Sequence, residues 1–224
     1  MTQPDAQDDQ DGINLETGQT ILTAVERILE APEKIIARVE QARADSGAWD
    51  EPDLVAPKLI SSYSNKSALI GGATAIPAML PGVGTAVTLL AGPMADMVLL
   101  LKLETELCLA LSSLRGHDIR DARERQLAFL LAAINTAELS KGRNPVLEAV
   151  DVSGTAIWNY APRRVGKVLV NVLAVIAALQ VSRSLLRAVP LIGVAVGASM
   201  NKVLTARVGK NAYRALKTRD SLAK

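Results

Sequence analysis

The chain reads SALIGGATAIPAMLPGVGTAVTLLAGPMA from Ser67 to Ala95, and this segment contains no charged residue. One continuous helix of that length would cross a bilayer. Pro77, Pro81 and Pro93 interrupt the segment, and proline both removes a helical hydrogen bond and clashes with the preceding turn. The segment therefore predicts two helices joined near residues 81–84, a Gly/Pro-broken apolar hairpin, rather than one spanning helix.

Helical signals continue on both sides of this hairpin. Upstream, Pro32 and residues 50–53 mark the starts of two helices, and Gly47 follows the end of the first. Downstream, Gly116 is a predicted αL cap that ends a long helix, and Asp118 is the predicted N-cap of the next. The apolar residues are mainly Ala, Leu, Val and Ile, with few aromatics. These features predict an all-α protein, a compact multi-helix bundle.

A strand is an alternative over residues 168–176, which are rich in Val, but no turn signal or partner strand accompanies it. Residues 1–17 have little apolar content, which predicts a disordered acidic tail. Residues 18–65 are then predicted to form N-terminal helices, and residues 66–224 the main helical domain.

Charge is distributed unevenly along the chain, although the net charge is only +2. Residues 1–65 hold 5 basic and 13 acidic side chains, a balance of −8, and residues 66–160 have a balance of −1. Residues 161–224 hold 12 basic side chains and one acidic one, a balance of +11. The basic end has four alternative explanations: pairing with the acidic start, a solvated helix face, improved solubility and attraction to anionic lipid. Nucleic acid is the least favoured partner.

The last helix carries the clearest charge pattern. At about 100° per residue, four basic side chains fall in one narrow sector: Arg207, Lys210, Arg214 and Lys217. A separate arc holds the apolar positions Leu204, Val208, Ala212, Ala215 and Leu216. A basic amphipathic helix suits an anionic membrane surface, and it equally suits a helix docked on a core with a solvated basic side.

Catalytic and metal-binding signals are weak. One histidine and one cysteine do not supply a Cys/His zinc site. His117 lies at a polar helix boundary, and Cys108 fits the apolar pattern of a helix. Gly82-Val-Gly84 lacks the preceding strand and the third glycine of a dinucleotide fingerprint. We predict no cofactor, no metal and no enzymatic activity; Asp96, Glu104 and Glu106 are the acidic cluster that an enzyme would use.

Asp96 is the only charge between Lys66 and Lys102, so it is either a first-turn carboxylate or a buried polar site. Small residues predict close helix packing at two places. Gly71 and Gly72 lie at the start of the apolar hairpin, and Gly193-x-x-x-Gly197 has the spacing that lets two helix backbones approach.

Two stretches together resemble the EcsC family of bacterial proteins. One runs from Ala68 to Pro77 and continues through Pro93-Met-Ala-Asp96 to Arg115-Gly-His-Asp118. The other is VPLIGVAVGASMN, residues 189–201, with the downstream Ala212-Tyr213. The resemblance covers residues 66–217 and implies an α-helical, membrane-associated protein. It brings no established activity and no catalytic residue.

These observations favour a non-enzymatic helical protein that associates with the inner membrane, peripherally or partly inserted, or binds lipid between its Gly-rich hairpins. The single cysteine and the acidic start, which lacks a signal-peptide pattern, predict the cytoplasm or the cytoplasmic face of a membrane. The alternative is a soluble adaptor that forms homo-oligomers or binds a protein partner.

Overall fold

The structure, a computed structural model, describes residues 6–72, 93–140, 162–184 and 193–222. Within these ranges it contains seven helices and no strand: α1 (Ala6–Ile28), α2 (Pro32–Ser46), α3 (Pro52–Gly72), α4 (Pro93–Leu114), α5 (Ala122–Ser140), α6 (Pro162–Ser184) and α7 (Gly193–Leu222). The prediction of an all-α bundle is confirmed. Helix α6 covers residues 168–176, so the alternative of a strand there is wrong. The predicted turn at residues 81–84 lies outside the described residues.

Single residues set several helix ends. Pro32 and Pro52 open α2 and α3, as predicted, because the missing N–H of proline is an unpaired donor in a first turn anyway. Gly47 (φ 61°) and Gly116 (φ 88°) adopt the left-handed conformation that ends α2 and α4. After α4, the Gly116 N–H donates to the Ser113 carbonyl at 2.9 Å and the next N–H reaches the Ser112 carbonyl at 3.1 Å.

Three helix boundaries differ from those that the sequence predicts. Helix α1 begins at Ala6, whereas residues 1–17 were predicted to be disordered. Helix α3 crosses the predicted division at residues 65/66 without a break. The N-cap of α5 is Asp121, whose carboxylate accepts the Arg123 N–H at 2.9 Å, because α5 starts three residues later than predicted.

Helix α4 is the centre of the bundle. It contacts each of the other six described helices, and every residue from Met97 to Ser112 is buried. A helix surrounded in this way is expected to be largely apolar on all sides. Most of this span is Leu, Val, Met and Cys, but it also includes Lys102, Glu104 and Glu106. Cys108 is buried, as predicted for a small core residue.

Helices α3 and α7 form an antiparallel pair at one side of α4. At one end Lys217 Nζ lies 3.0 Å from Asp53, and at the other the Ser67 hydroxyl oxygen lies 3.2 Å from the Asn201 carbonyl oxygen. Gly209 lies between these ends. A Cβ there would lie 2.9 Å from Ile60 Cγ1 in α3 and 2.8 Å from Leu107 Cδ2 in α4. The absence of a side chain at Gly209 therefore sets how closely α7 packs on its two neighbours.

Candidate functional site

Four basic residues of α7 share one exposed side of the helix, and we call them the basic face: Arg207, Lys210, Arg214 and Lys217. On the opposite side Val208, Ala212 and Leu216 are 0–1% exposed and join the core. The structure thus places the four predicted residues together and separates them from the apolar arc. The helix is docked by its apolar side, and its cations point to solvent.

The C-terminal end of the basic face is tied to α3. Lys217 forms an ion pair with Asp53 at 3.0 Å, and the Tyr213 hydroxyl donates to the same carboxylate at 2.7 Å. The hydrogen bond from Tyr213, with that from Lys217, lowers the pKa of Asp53. Burial, reinforced by Asp53, raises the pKa of Tyr213 to about 12. Lys217 therefore already has an acidic partner within the protein.

The last turns of α7 are held by the α4–α5 connection. Asp220 accepts a hydrogen bond from Arg115 Nε at 2.6 Å and lies 3.0 Å from His117 Nε2. Arg219 pairs with Glu124 of α5 at 2.8 Å. Part of the positive charge of residues 161–224 is therefore used in internal ion pairs. Lys217–Asp53 is a pairing with the acidic start, one of the explanations that the sequence left open, whereas Glu124, the partner of Arg219, lies outside residues 1–65.

The remaining cations of the basic face behave differently. Arg207, Lys210 and Arg214 are exposed, and none of them pairs with an acidic side chain in the part of the chain that the structure describes. Met200 and Val203 are 44% and 49% exposed. At about 100° per residue both lie in the same angular sector as the basic face, toward the N-terminus of the helix. The exposed side of α7 therefore changes from apolar to basic along its length.

A groove of about 460 Å³ runs between α3 and α7, and we call it the α3–α7 groove. Its floor contains Ala56, Ile60 and Ser64, all buried. The Ser64 hydroxyl donates to the Ile60 carbonyl at 2.6 Å, so the proton of this hydroxyl is already used. The other lining residues are Asp53, Pro57, Ser61, Lys202, Ala206, Lys210, Tyr213 and Arg214. An apolar floor thus lies beside three cations: Lys202, Lys210 and Arg214.

The interior holds a carboxyl group that pairs with no cation among the described residues. Glu104 is completely buried, 3.3 Å from the Thr205 hydroxyl of α7 and in contact with the Thr136 hydroxyl of α5. Burial raises the pKa of Glu104 to about 7. The Thr136 hydroxyl also reaches the Ala132 carbonyl at 2.8 Å. Because a carbonyl only accepts and the hydroxyl has one proton, Thr136 satisfies both neighbours when Glu104 is protonated and donates to it.

Glu106, two residues further along α4, has a cation. Lys102 Nζ lies 2.7 Å from its Oε1, and the Glu30 N–H donates to the same oxygen at 2.9 Å. Burial raises the pKa of Glu106, while Lys102 and the Glu30 amide oppose that rise. Glu104 and Glu106 do not form a common site, since they share no described partner. Glu106 contacts Lys102 of the same helix and the Glu30 amide, whereas Glu104 contacts hydroxyls of α5 and α7. This geometry does not assemble the acidic cluster that an enzyme would use.

The prediction of a buried polar site at Asp96 is wrong. Asp96 lies in the first turn of α4 and is exposed, because α4 begins at Pro93 and the buried span begins only at Met97. A first-turn carboxylate also suits the positive end of the helix dipole. The buried acids of this helix are Glu104 and Glu106 instead.

The predicted close-packing glycines lie at helix ends whose surroundings fall outside the described part of the chain. Gly71 and Gly72 end α3, and Gly193 and Gly197 lie in the first turns of α7. Their packing role remains a prediction. The described close contacts are at Gly209 and at Gly18, where a Cβ would meet the Val170 carbonyl of α6.

Sequence reasoning missed Lys202 and the groove beside it. Lys202, Ala206 and Lys210 are spaced four residues apart and therefore follow one edge of α7. This spacing was a usable signal in the sequence. The facing residues of α3 could not be identified from the sequence, because they are about 150 positions away along the chain.

No described helix is both long and apolar enough to span a membrane. Across residues 6–72, 93–140, 162–184 and 193–222, no three His, Cys, Asp or Glu side chains group as metal ligands.

Fold and surface together define an all-α bundle protein with a basic amphipathic C-terminal helix. The chain belongs to the EcsC protein family, whose model matches residues 17–220. The match begins in α1, so it includes the N-terminal helices that the resemblance over residues 66–217 left out. No curated protein and no solved structure matches the chain.

Proposed function

We propose that this protein is a non-enzymatic membrane-associated protein that binds anionic lipid through α7 at the cytoplasmic face of the bacterial inner membrane. The observation that carries this proposal is a set of exposed cations on one side of a docked helix: Arg207, Lys210 and Arg214, which have no acidic partner among the described residues. Met200 and Val203 add exposed apolar surface to the same side. Interfacial helices combine these two features.

The expected strength is modest. Each basic side chain near an anionic surface contributes about 1 kcal/mol, so three of them contribute about 3 kcal/mol, roughly a hundredfold in affinity. Lys217 adds less because Asp53 already partners it. Attraction of this kind decays over about 10 Å at 0.1 M salt. Binding should therefore be reversible and sensitive to salt.

Co-sedimentation with vesicles tests the proposal. We expect the protein to bind vesicles containing phosphatidylglycerol, to bind phosphatidylcholine vesicles less, and to dissociate as salt rises. The triple variant Arg207→Gln, Lys210→Gln, Arg214→Gln should lose most of this binding. A matched control removes three other exposed cations, from α1, α2 and α6: Arg27→Gln, Lys34→Gln and Lys167→Gln.

Equal losses in the two triple variants would show that net charge alone governs binding, and the assignment to α7 would be wrong. Binding that survives both high salt and the α7 substitutions would instead favour insertion of the apolar segment Ser67–Ala95. If the protein binds no vesicles, the membrane proposal fails, and the alternative of an oligomerising adaptor gains support if light scattering then detects an assembly.

A further inference from the structure

The α3–α7 groove has a different composition from the basic face beside it. Its floor is formed by Ala56, Ile60 and the internally bonded Ser64, and its volume of about 460 Å³ lies within the range of small-molecule sites. Ala206 lies between Lys202 and Lys210, one turn from each. Its small side chain leaves space above the floor between these two cations.

The charges around the groove favour an anion. Lys202, Lys210 and Arg214 line the α7 side, and all three are exposed. The one acidic residue in the lining, Asp53, already accepts from Tyr213 and pairs with Lys217. A ligand that matches this surface has an apolar chain for the floor and an anionic head for the cations.

We propose that the α3–α7 groove binds one molecule of a single-chain anionic phospholipid, with its acyl chain over the floor against Pro57 and Ala206 and its phosphate against the cations of α7. This inference rests on the proposed function, because the membrane supplies the ligand. It adds a defined site for one lipid molecule to the non-specific electrostatic attraction between the basic face and an anionic membrane.

Two cations of α7 allow the groove and the basic face to be tested independently. Lys202 lines the groove and is not part of the basic face, whereas Arg207 belongs to the basic face and does not line the groove. Both are exposed, so Lys202→Gln and Arg207→Gln remove the same charge from the same helix. Ser61 gives a third variant, because it is an exposed residue of α3 in the groove lining and Ser61→Trp fills the groove.

Isothermal titration calorimetry with lysophosphatidylglycerol below its micelle concentration tests the proposal, with lysophosphatidylcholine as the neutral comparison. We expect saturable binding of one molecule of the anionic lipid and weaker binding of the neutral one. Lys202→Gln should weaken that binding about fivefold, the equivalent of about 1 kcal/mol, and Ser61→Trp at least as much. Arg207→Gln should leave it within about twofold while weakening vesicle binding, with circular dichroism confirming that each variant is folded.

The results distinguish the two proposals. Vesicle binding without lysophosphatidylglycerol binding would overturn the groove site and leave the basic face standing. Lipid binding that Ser61→Trp and Lys202→Gln do not change would also overturn the groove site. Lysophosphatidylglycerol binding that these variants weaken, without any vesicle binding, would support the groove and overturn the membrane-surface proposal.

Discussion

Helices α4 and α7 both carry charge, but they place it in opposite environments. The ionisable groups of α4 between Met97 and Ser112 are buried, and their partners lie within α4, in the α1–α2 connection and on α5 and α7. Three cations of the basic face of α7 are exposed and have no acidic partner among the described residues. Removing one partner of a buried charge pair leaves an uncompensated charge in the core, whereas unpaired exposed charges are available to a ligand. This difference is the reason we propose that binding takes place on α7 and that the polar contacts of α4 are structural.

A second contrast lies within α4. Glu106 has the Lys102 ammonium group and the Glu30 amide, while the described partners of Glu104 are the hydroxyls of Thr136 and Thr205. Burial raises the pKa of Glu106, and Lys102 with the Glu30 amide favours its anionic form against that rise, whereas Glu104 is best satisfied with a proton. Two acids separated by one residue thus respond differently to loss of a partner and to pH.

The largest effect should come from breaking the buried pair. Lys102→Met keeps most of the apolar stem but leaves the Glu106 carboxylate buried without its cation. Removing one partner of such a pair typically destabilises a protein by about 3–5 kcal/mol, and we expect a loss of this size in the free energy of unfolding measured with urea. The double variant Lys102→Met, Glu106→Gln should recover most of it, because the amide oxygen still accepts the Glu30 N–H.

If the double variant is as unstable as the single one, the loss comes from packing of the lysine stem and not from an uncompensated charge. The interior charges of α4 would then contribute little beyond filling space, and the contrast with α7 would be weaker.

A smaller effect, with a defined pH dependence, is expected at Glu104. Its pKa is raised from 4.5 to about 7 in the folded protein, so between these pH values the folded state holds a proton that the unfolded chain releases. The free energy of unfolding therefore falls as pH rises from about 4.5 to about 7, by up to about 3 kcal/mol from this group. Glu104→Gln cannot titrate and should remove this part of the pH dependence.

Urea unfolding of the parent and Glu104→Gln at several pH values measures the difference, with the exposed Glu40→Gln as a carboxylate control. The free energy of unfolding of Glu104→Gln, relative to that of the unsubstituted protein, should rise from pH 4.5 to pH 8. Glu40→Gln should show the same pH dependence as the unsubstituted protein. A constant offset across this range would mean that Glu104 is ionised in the fold at low pH, and the contrast between the two acids of α4 would be wrong.

Local backbone chemistry explains which parts of the fold could be predicted. Gly47 and Gly116 end helices and Pro32 and Pro52 start them because one residue's conformation decides each boundary, and a sequence shows that residue directly. The faces of α7 followed from helical spacing alone. The apolar segment was predicted as broken for the same reason, although its turn lies outside the described residues.

The site was harder to predict because its parts are distant in sequence. Glu104 meets Thr136 and Thr205, which are 32 and 101 residues away, and the groove joins α3 to α7. A Gly-x-x-x-Gly spacing indicated Gly193 and Gly197, but a glycine is required only where a neighbour occupies the position of its Cβ. Gly209 meets that condition without any local motif.

The smallest predicted effect tests how α7 is seated on α4. A methyl group at Gly166 in α6 would have no described neighbour within 4 Å, whereas a methyl group at Gly209 would meet Leu107 at 2.8 Å and Ile60 at 2.9 Å. Both glycines are inside helices, where alanine is favoured by about 0.5–1 kcal/mol. Gly166→Ala should gain about that much stability in thermal unfolding. Gly209→Ala should not show this gain. Its stability should be about 1 kcal/mol or more lower than that of the matched control Gly166→Ala, because α7 must move away from α4 and α3.

Equal gains in stability in both variants would show that Leu107 and Ile60 can shift to accept the methyl group at little cost. In that case α7 would pack less tightly on α3 and α4 than its contacts indicate, and Gly209 would not fix the position of the basic face relative to α3.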